Sequence, residues 1–216
     1  MRVRTAALIV SLLAGSAVVT AQHARLFPPE DLGLLEGPDR DAYQRPDEIM
    51  DALQIGEGSV VADLGAGGGW FTVRLARRVR PNGVVYAEDV QSQMIDAITR
   101  RMKREELDKL VQTVLGTQVD TGLPAGSLDA ALMVDAYHEF EQPVMLLRNL
   151  ARAMKPSGLI GIVNYKKDGG GPGPLMEQRV DPEKVIADAK AAGLELRKRE
   201  TFLRYQYMLI FGIPPK

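Results

Sequence analysis

The residues of this chain best equipped for chemistry begin at Asp63. It closes the apolar run Val60-Val61-Ala62 and precedes Leu64-Gly65-Ala66-Gly67-Gly68-Gly69, in which four of six residues are glycine. Glycine accepts φ > 0 and carries no Cβ, so a ligand can lie against bare backbone at such a turn. Phe71, Leu75 and Val79 then recur at helical spacing, and the N-terminus of a helix offers unpaired N–H groups to an anion. A carboxylate beside the turn repels a pyrophosphate and suits a cationic ligand better. The third position of the dinucleotide fingerprint Gly-x-Gly-x-x-Gly is held by Trp70, too bulky for the close helix-to-strand contact that glycine allows. No Gly-Lys-Ser/Thr follows, which excludes the phosphate loop of nucleoside triphosphatases.

Further polar residues fall where short apolar runs end: Asp89, twenty positions beyond Gly69, then Thr117 and Asp135. Ligands of open α/β sheets bind beyond such strand ends, where the strand order reverses. His138 lies three residues past Asp135, and its ordinary pKa suits it to take a proton near neutrality. A structural part suits it equally, donating to a carbonyl or to Glu139.

The elements that must position these residues alternate regularly. Short apolar runs at Val84–Asp89, Val111–Leu115, Ala130–Val134 and Leu159–Val163 read as strands, and amphipathic stretches at Trp70–Val79, Met94–Met102 and Val144–Met154 as helices. This implies a parallel sheet with helices on both faces. Pro182 opens a last helix closed by Gly193, after which Leu194–Thr201 and Tyr205–Phe211 alternate and are spaced to pair as a hairpin. Upstream, Pro46-Asp47-Glu48 starts a helix with proline at its first position and acids in its first turn.

Asp63-x-Gly65-x-Gly67-x-Gly69 resembles the first motif of the class I S-adenosylmethionine-dependent methyltransferases, and the likeness runs from about Arg40 to the end of the chain. Val84-Val85-Tyr86-Ala87-Glu88-Asp89-Val90 resembles their second strand, which ends in an acid. Leu123-Pro124 through Ser127-Leu128-Asp129 resembles the lead into their fourth. Met154-Lys155-Pro156-Ser157-Gly158 is similar to their Leu-Lys-Pro-Gly-Gly turn, with serine for one glycine. Val134-Asp135-Ala136-Tyr137-His138-Glu139-Phe140 is similar to the Tyr-His motif of a subset.

The resemblance implies an α/β, Rossmann-like methyltransferase fold: a mostly parallel seven-stranded sheet with helices on both faces and a C-terminal antiparallel hairpin. It also implies S-adenosyl-L-methionine as cofactor. Asp63 and the backbone of Gly65, Gly67 and Gly69 would surround its amino acid part, and Asp89, with Glu88 beside it, its ribose hydroxyls. Thr117 and Asp135 would complete the cofactor side. Adenine recognition falls to backbone or to Asp120, since relatives carry an acid where Thr117 stands. The acceptor pocket is expected from Tyr137, His138, Asn164, Tyr165 and Lys166 with Arg204, Tyr205, Gln206 and Tyr207 of the hairpin. The Gly169–Pro174 loop serves as a lid or as a plain linker, and Arg40, Tyr43 and Gln44 are candidate lid residues. Methyl transfer to a small-molecule acceptor is the activity implied. A non-catalytic S-adenosylmethionine-binding sensor or scaffold would keep the same residues, whereas Trp70 and Asp63 disfavour a nicotinamide oxidoreductase.

Composition narrows the partners. With 216 residues, one domain with a continuous core is expected. A formal charge of −1 and 6% aromatic residues provide neither a basic field nor a stacking platform for nucleic acid. The chain has no cysteine and two histidines, so no metal site is expected. Residues 1–21 read as an export signal, with Arg2 and Arg4 before the uncharged run from Thr5 and small residues at Val19-Thr20-Ala21. The expected location is therefore periplasmic or secreted. The alternative is an uncleaved N-terminal membrane anchor, which would confine membrane contact to this segment. Residues 22–45 read as an irregular arm and 46–216 as the cofactor-binding domain.

Overall fold

The computed structural model describes residues 26–215. The proposed export signal lies outside them. Seven strands form one sheet: β1 (Val60–Leu64), β2 (Val84–Asp89), β3 (Val111–Leu115), β4 (Leu128–Val134), β5 (Met154–Tyr165), β6 (Glu195–Glu200) and β7 (Gln206–Gly212). Their order is β3-β2-β1-β4-β5-β7-β6, parallel except where β7 runs antiparallel to both β5 and β6. The hairpin and the mostly parallel sheet are thus as the sequence implies. The chain winds outward from β1 to β3 and then returns to β4 beside β1, so the order reverses between β1 and β4. A ligand crevice is expected above their carboxyl ends.

Alternation along the strands explains how both faces are buried. Val61, Ala130, Leu132, Met208 and Ile210 face one core with α2 (Pro46–Ala52), α3 (Trp70–Val79) and α4 (Ser92–Arg104). Their neighbours Ala62, Ala131, Met133, Leu209 and Phe211 face the other, with α5 (Pro143–Ala153) and α6 (Pro182–Ala191). Residues of β1, β4 and β7 therefore read as continuous apolar runs in the sequence, as strands buried on both faces do. β6 is different: it ends the sheet with exposed Arg197, Lys198 and Arg199, and its charges pair locally, Arg197 with Glu195 at 3.0 Å and Lys198 with Glu200 at 2.7 Å.

β5 begins five residues earlier than its apolar run suggests. Leu128 pairs with Met154 and Ala130 with Leu159, so the Lys155-Pro156-Ser157-Gly158 turn is accommodated as an irregularity inside the strand pair. The arm also departs from the irregular reading. Pro29–Glu36 winds into a 3-10 helix with proline at its first turn, and α1 (Arg40–Gln44) follows. Pro28 and Pro29 fix φ near the value a tight helical turn needs, which is compatible with such a start.

Candidate functional site

The crevice above β1 and β4 is a groove of about 970 Å³. That lies at the upper end of the range for small-molecule sites, enough for more than one ligand. Its inner wall is the glycine turn. Gly65, Gly67 and Gly69 sit at φ of 66°, 54° and 77°, where a side chain would be strained. At Gly65 a Cβ would also stand 2.5 Å from Ala136 Cβ, so only glycine lets the end of β4 close against the turn. Gly69 serves differently from the other two: it caps α3 and packs towards Ile98 and Met102 rather than lining the groove.

Asp89 organises this turn. Its Oδ2 accepts from the Gly67 N–H at 3.0 Å and its Oδ1 from the Gln91 N–H at 2.9 Å. Burial nevertheless holds its pKa above the usual carboxylate value. Asp63 is buried at the end of β1, where Thr72 Oγ1 donates to Oδ2 at 2.6 Å. Burial raises it to about 6 against the pull of Thr72 and the Arg40 guanidinium. Asp135 stands opposite with φ at 57°, a conformation that a non-glycine residue adopts only when its surroundings enforce it. Gln206 Nε2 holds both of its oxygens, at 2.7 and 2.9 Å, and Gln44 Nε2 in turn donates to Gln206 Oε1 at 3.0 Å. Burial raises Asp135 to about 6.

Glu88 is the most perturbed of these acids. It is 3% exposed, its Oε1 lacks a partner among the described residues, and burial with the neighbouring Asp89 pushes it up to about 8. The folded state therefore binds a proton that the unfolded chain, near 4.5, releases, so stability falls as pH rises between those values. Glu88→Gln mimics the protonated acid. It is expected to change urea unfolding of the ligand-free protein by under about 1 kcal/mol at pH 5 and to stabilise it by roughly 4 kcal/mol at pH 8. A variant less stable than wild type at pH 8 would contradict this burial.

The outer wall comes from the arm. Phe27 N–H donates to Glu139 Oε2 at 3.0 Å and Gln91 Nε2 donates to Phe27 O at 3.0 Å, so this residue bridges the two sides of the groove. Burial lifts Glu139 to about 7. Arg40 lies over the Trp70 ring at 4.2 Å and Arg74 at 3.4 Å, which fastens α1 to α3. Trp70, unsuited to the glycine position of a dinucleotide site, is the anchor for the arm.

His138 lines the groove in the short 3-10 helix Tyr137–Glu139 after β4. Burial lowers its pKa and a hydrogen bond with Asn164 opposes this, so it is neutral at neutral pH and able to accept a proton. Its Nε2 is 3.8 Å from Glu139 Oε1. Tyr165, Pro172, Gly173 and Pro174 line the groove as well, so the glycine-proline loop is part of the site and not a plain linker. Several expected pocket residues lie elsewhere. Tyr137 donates to Asp188 Oδ2 at 2.8 Å and Tyr207 to Val180 O at 3.1 Å, both on the α6 side of the sheet. Lys166 Nζ donates to the Leu203 and Arg204 carbonyls. Thr117 reaches the groove rim, its hydroxyl accepting from the Asp120 N–H at 3.0 Å. The Asp120 carboxylate turns to the Gly122 N–H at 3.0 Å and does not line the groove. The contacts of Gln91, Glu139 and Arg179 had no signal in the sequence, because their partners are backbone groups, which place no demand on residue type.

Residues 61–158 match a family model described as a methyltransferase domain. Among curated proteins, an uncharacterized methyltransferase of Mycobacterium tuberculosis is 33% identical over 143 residues, covering 64% of this chain and 55% of that protein. Demethylmenaquinone methyltransferase of Lactobacillus johnsonii is 26% identical over 111 residues, 51% of this chain and 46% of that one. The chain spans about half the length of the curated relatives it matches. The solved structure of a SAM-dependent methyltransferase from Aquifex aeolicus has a TM-score of 0.82 at 26% identity, covering 87% of this chain and all of that one. The matched residues contribute the glycine turn, Asp63, Asp89, Asp135 and His138. The arm and the loop at 169–174, which complete the groove, lie beyond the matched residues.

Proposed function

We propose that the groove binds S-adenosylmethionine and that the protein transfers its methyl group to a small-molecule acceptor. The observation that carries this reading is the concentration of buried carboxyls, Asp63, Glu88, Asp89 and Asp135, around a turn of bare backbone. Buried acids held above their usual pKa gain most from a cationic ligand, which returns them to the ionised form. A pyrophosphate in the same place would meet repulsion from each of them that is ionised. Bound there, S-adenosylmethionine supplies a methyl group on a cationic sulfur, open to attack by an electron-rich acceptor atom.

The chain's own residues provide the remainder. Asp89 fixes the glycine turn and presents a carboxylate suited to a ribose diol, while Asp63 offers an acceptor for an ammonium group. The arm excludes water from above. The neutral His138 takes the proton of a neutral acceptor, and the enclosing walls hold the reactants close, which is where much of the rate of such a displacement originates.

The sign of the pH dependence tests the reading. Below their raised values Asp63, Asp135 and Glu88 carry protons that a cation must displace, so affinity for S-adenosylmethionine is expected to rise with pH and level off above about 8. Calorimetry in buffers of different ionisation enthalpy should show proton release on binding. S-adenosylhomocysteine, without the sulfonium, should show a shallower rise. Affinity that falls with pH, or tighter binding of NAD, would sink the proposal. Tight cofactor binding without transfer to any acceptor would instead identify a sensor or scaffold.

A further inference from the structure

Arg179 lies between the 3-10 helix Met176–Gln178 and α6, far along the chain from the glycine turn, and is 6% exposed. Its guanidinium donates to four carbonyls of one segment. Nε reaches Pro174 O at 3.0 Å, Nη1 reaches Lys166 O and Gly170 O at 2.9 Å each, and Nη2 reaches Pro172 O at 3.3 Å. Within that segment the one backbone hydrogen bond among those of the described residues runs from Gly169 N–H to Lys166 O at 3.3 Å. Pro172 and Pro174 lack an N–H, and Gly170, Gly171 and Gly173 have φ of 58°, 72° and 108°, which excludes helix and ladder alike. A planar cation with five donors is what a row of unpaired carbonyls requires.

The same cation stands 5.1 Å from the Tyr165 ring centroid, and its charge bears on Asp135. The glycines complete the packing. A Cβ at Gly173 would be 2.5 Å from Tyr165 Cε2, and one at Gly171 would be 2.5 Å from the Tyr205 ring, so the loop lies flat on both tyrosines. Tyr165, Pro172, Gly173 and Pro174 form the groove wall on the Asp135 side. None of the hydrogen bonds of Arg179 reaches Asp63, Asp89 or the Gly65–Gly69 turn.

Building on the methyl-transfer reading, we propose that Arg179 is a positioning residue for the acceptor: it clasps the 166–174 loop onto Tyr165 and thereby shapes the acceptor wall without touching the cofactor wall. The loop is then a preformed roof, and its shape belongs to a side chain that never meets the ligand. Lysine does not replace it, because an ammonium point charge cannot span four carbonyls in one plane.

The test uses the full chain with labelled S-adenosylmethionine and a dilution series of cell-envelope extract as the source of acceptor. Measured at pH 8.5, where Asp135 stays ionised even without the Arg179 charge, Arg179→Gln and Arg179→Lys are both expected to raise the half-saturating extract concentration by about tenfold or more, with the affinity for S-adenosylhomocysteine unchanged. Tryptic cleavage after Lys167, which is exposed in the loop, should accelerate in both variants. Half-saturation unchanged from wild type, or cofactor affinity lost in the same proportion, would overturn the proposal. If the wild-type protein labels nothing, the methyl-transfer reading fails and with it the acceptor role. The cleavage rate then judges the clasp separately, and an unchanged rate rejects it.

Discussion

Replacing Asp89 with alanine is expected to raise the dissociation constant for S-adenosylhomocysteine by about 100-fold while the protein still folds. The size of the effect follows from two functions in one side chain. Its oxygens accept from the Gly67 and Gln91 N–H groups, and hydrogen bonds to a charged acceptor are worth roughly 1.5–3 kcal/mol each. Truncation removes a ligand contact and also frees the turn that forms the inner wall. Asp89→Asn is intermediate: it preserves shape and one of the two acceptors, so one of the two N–H groups loses its partner and an intermediate amount of affinity should be lost. Calorimetry on each variant, with thermal unfolding as the control, decides the matter. Unchanged affinity in the alanine variant would remove Asp89 from the binding site.

Replacing His138 with alanine should leave cofactor affinity intact and lower the limiting rate of methyl transfer by about 10²–10⁴-fold, the usual contribution of a general base. The geometry supports this. Burial keeps the ring neutral, and it faces the same groove as Asp135 and Tyr165. Single-turnover labelling separates chemistry from product release. A variant as fast as wild type would show that His138 only buttresses the loop. Parallel loss of rate and affinity would point the same way, since a base that acts only in the chemical step leaves binding alone.

Much of this arrangement was legible because it depends on periodicity. Val61 and Ala62, or Leu209 and Ile210, are apolar neighbours that face opposite cores, and a two-sided sheet is the only simple structure that buries both. The glycine turn was legible for a different reason. Its neighbours demand positive φ and, at Gly65, a missing Cβ, and those demands restrict the residue type itself. Arg179 and the Phe27 bridge left no trace of this kind. An arginine bonded to backbone carbonyls, or a backbone bonded to Gln91 and Glu139, places no requirement on the residues whose main chain it uses. Tyr137 was misplaced in the pocket because adjacency to His138 in a 3-10 turn sends the two rings in different directions, one to the groove and one to Asp188. Asp135 shows the intermediate case: its strand-end position could be read, but its left-handed backbone and its hold by Gln206 could not.

The main chain of Phe27 is engaged on both sides, its N–H by Glu139 and its carbonyl by Gln91, with Leu26 and Pro28 also lining the groove. A molecule settled beneath that span would be covered by it. Its departure would require those two hydrogen bonds to part, so residence in this groove would depend on the arm as well as on the inner wall.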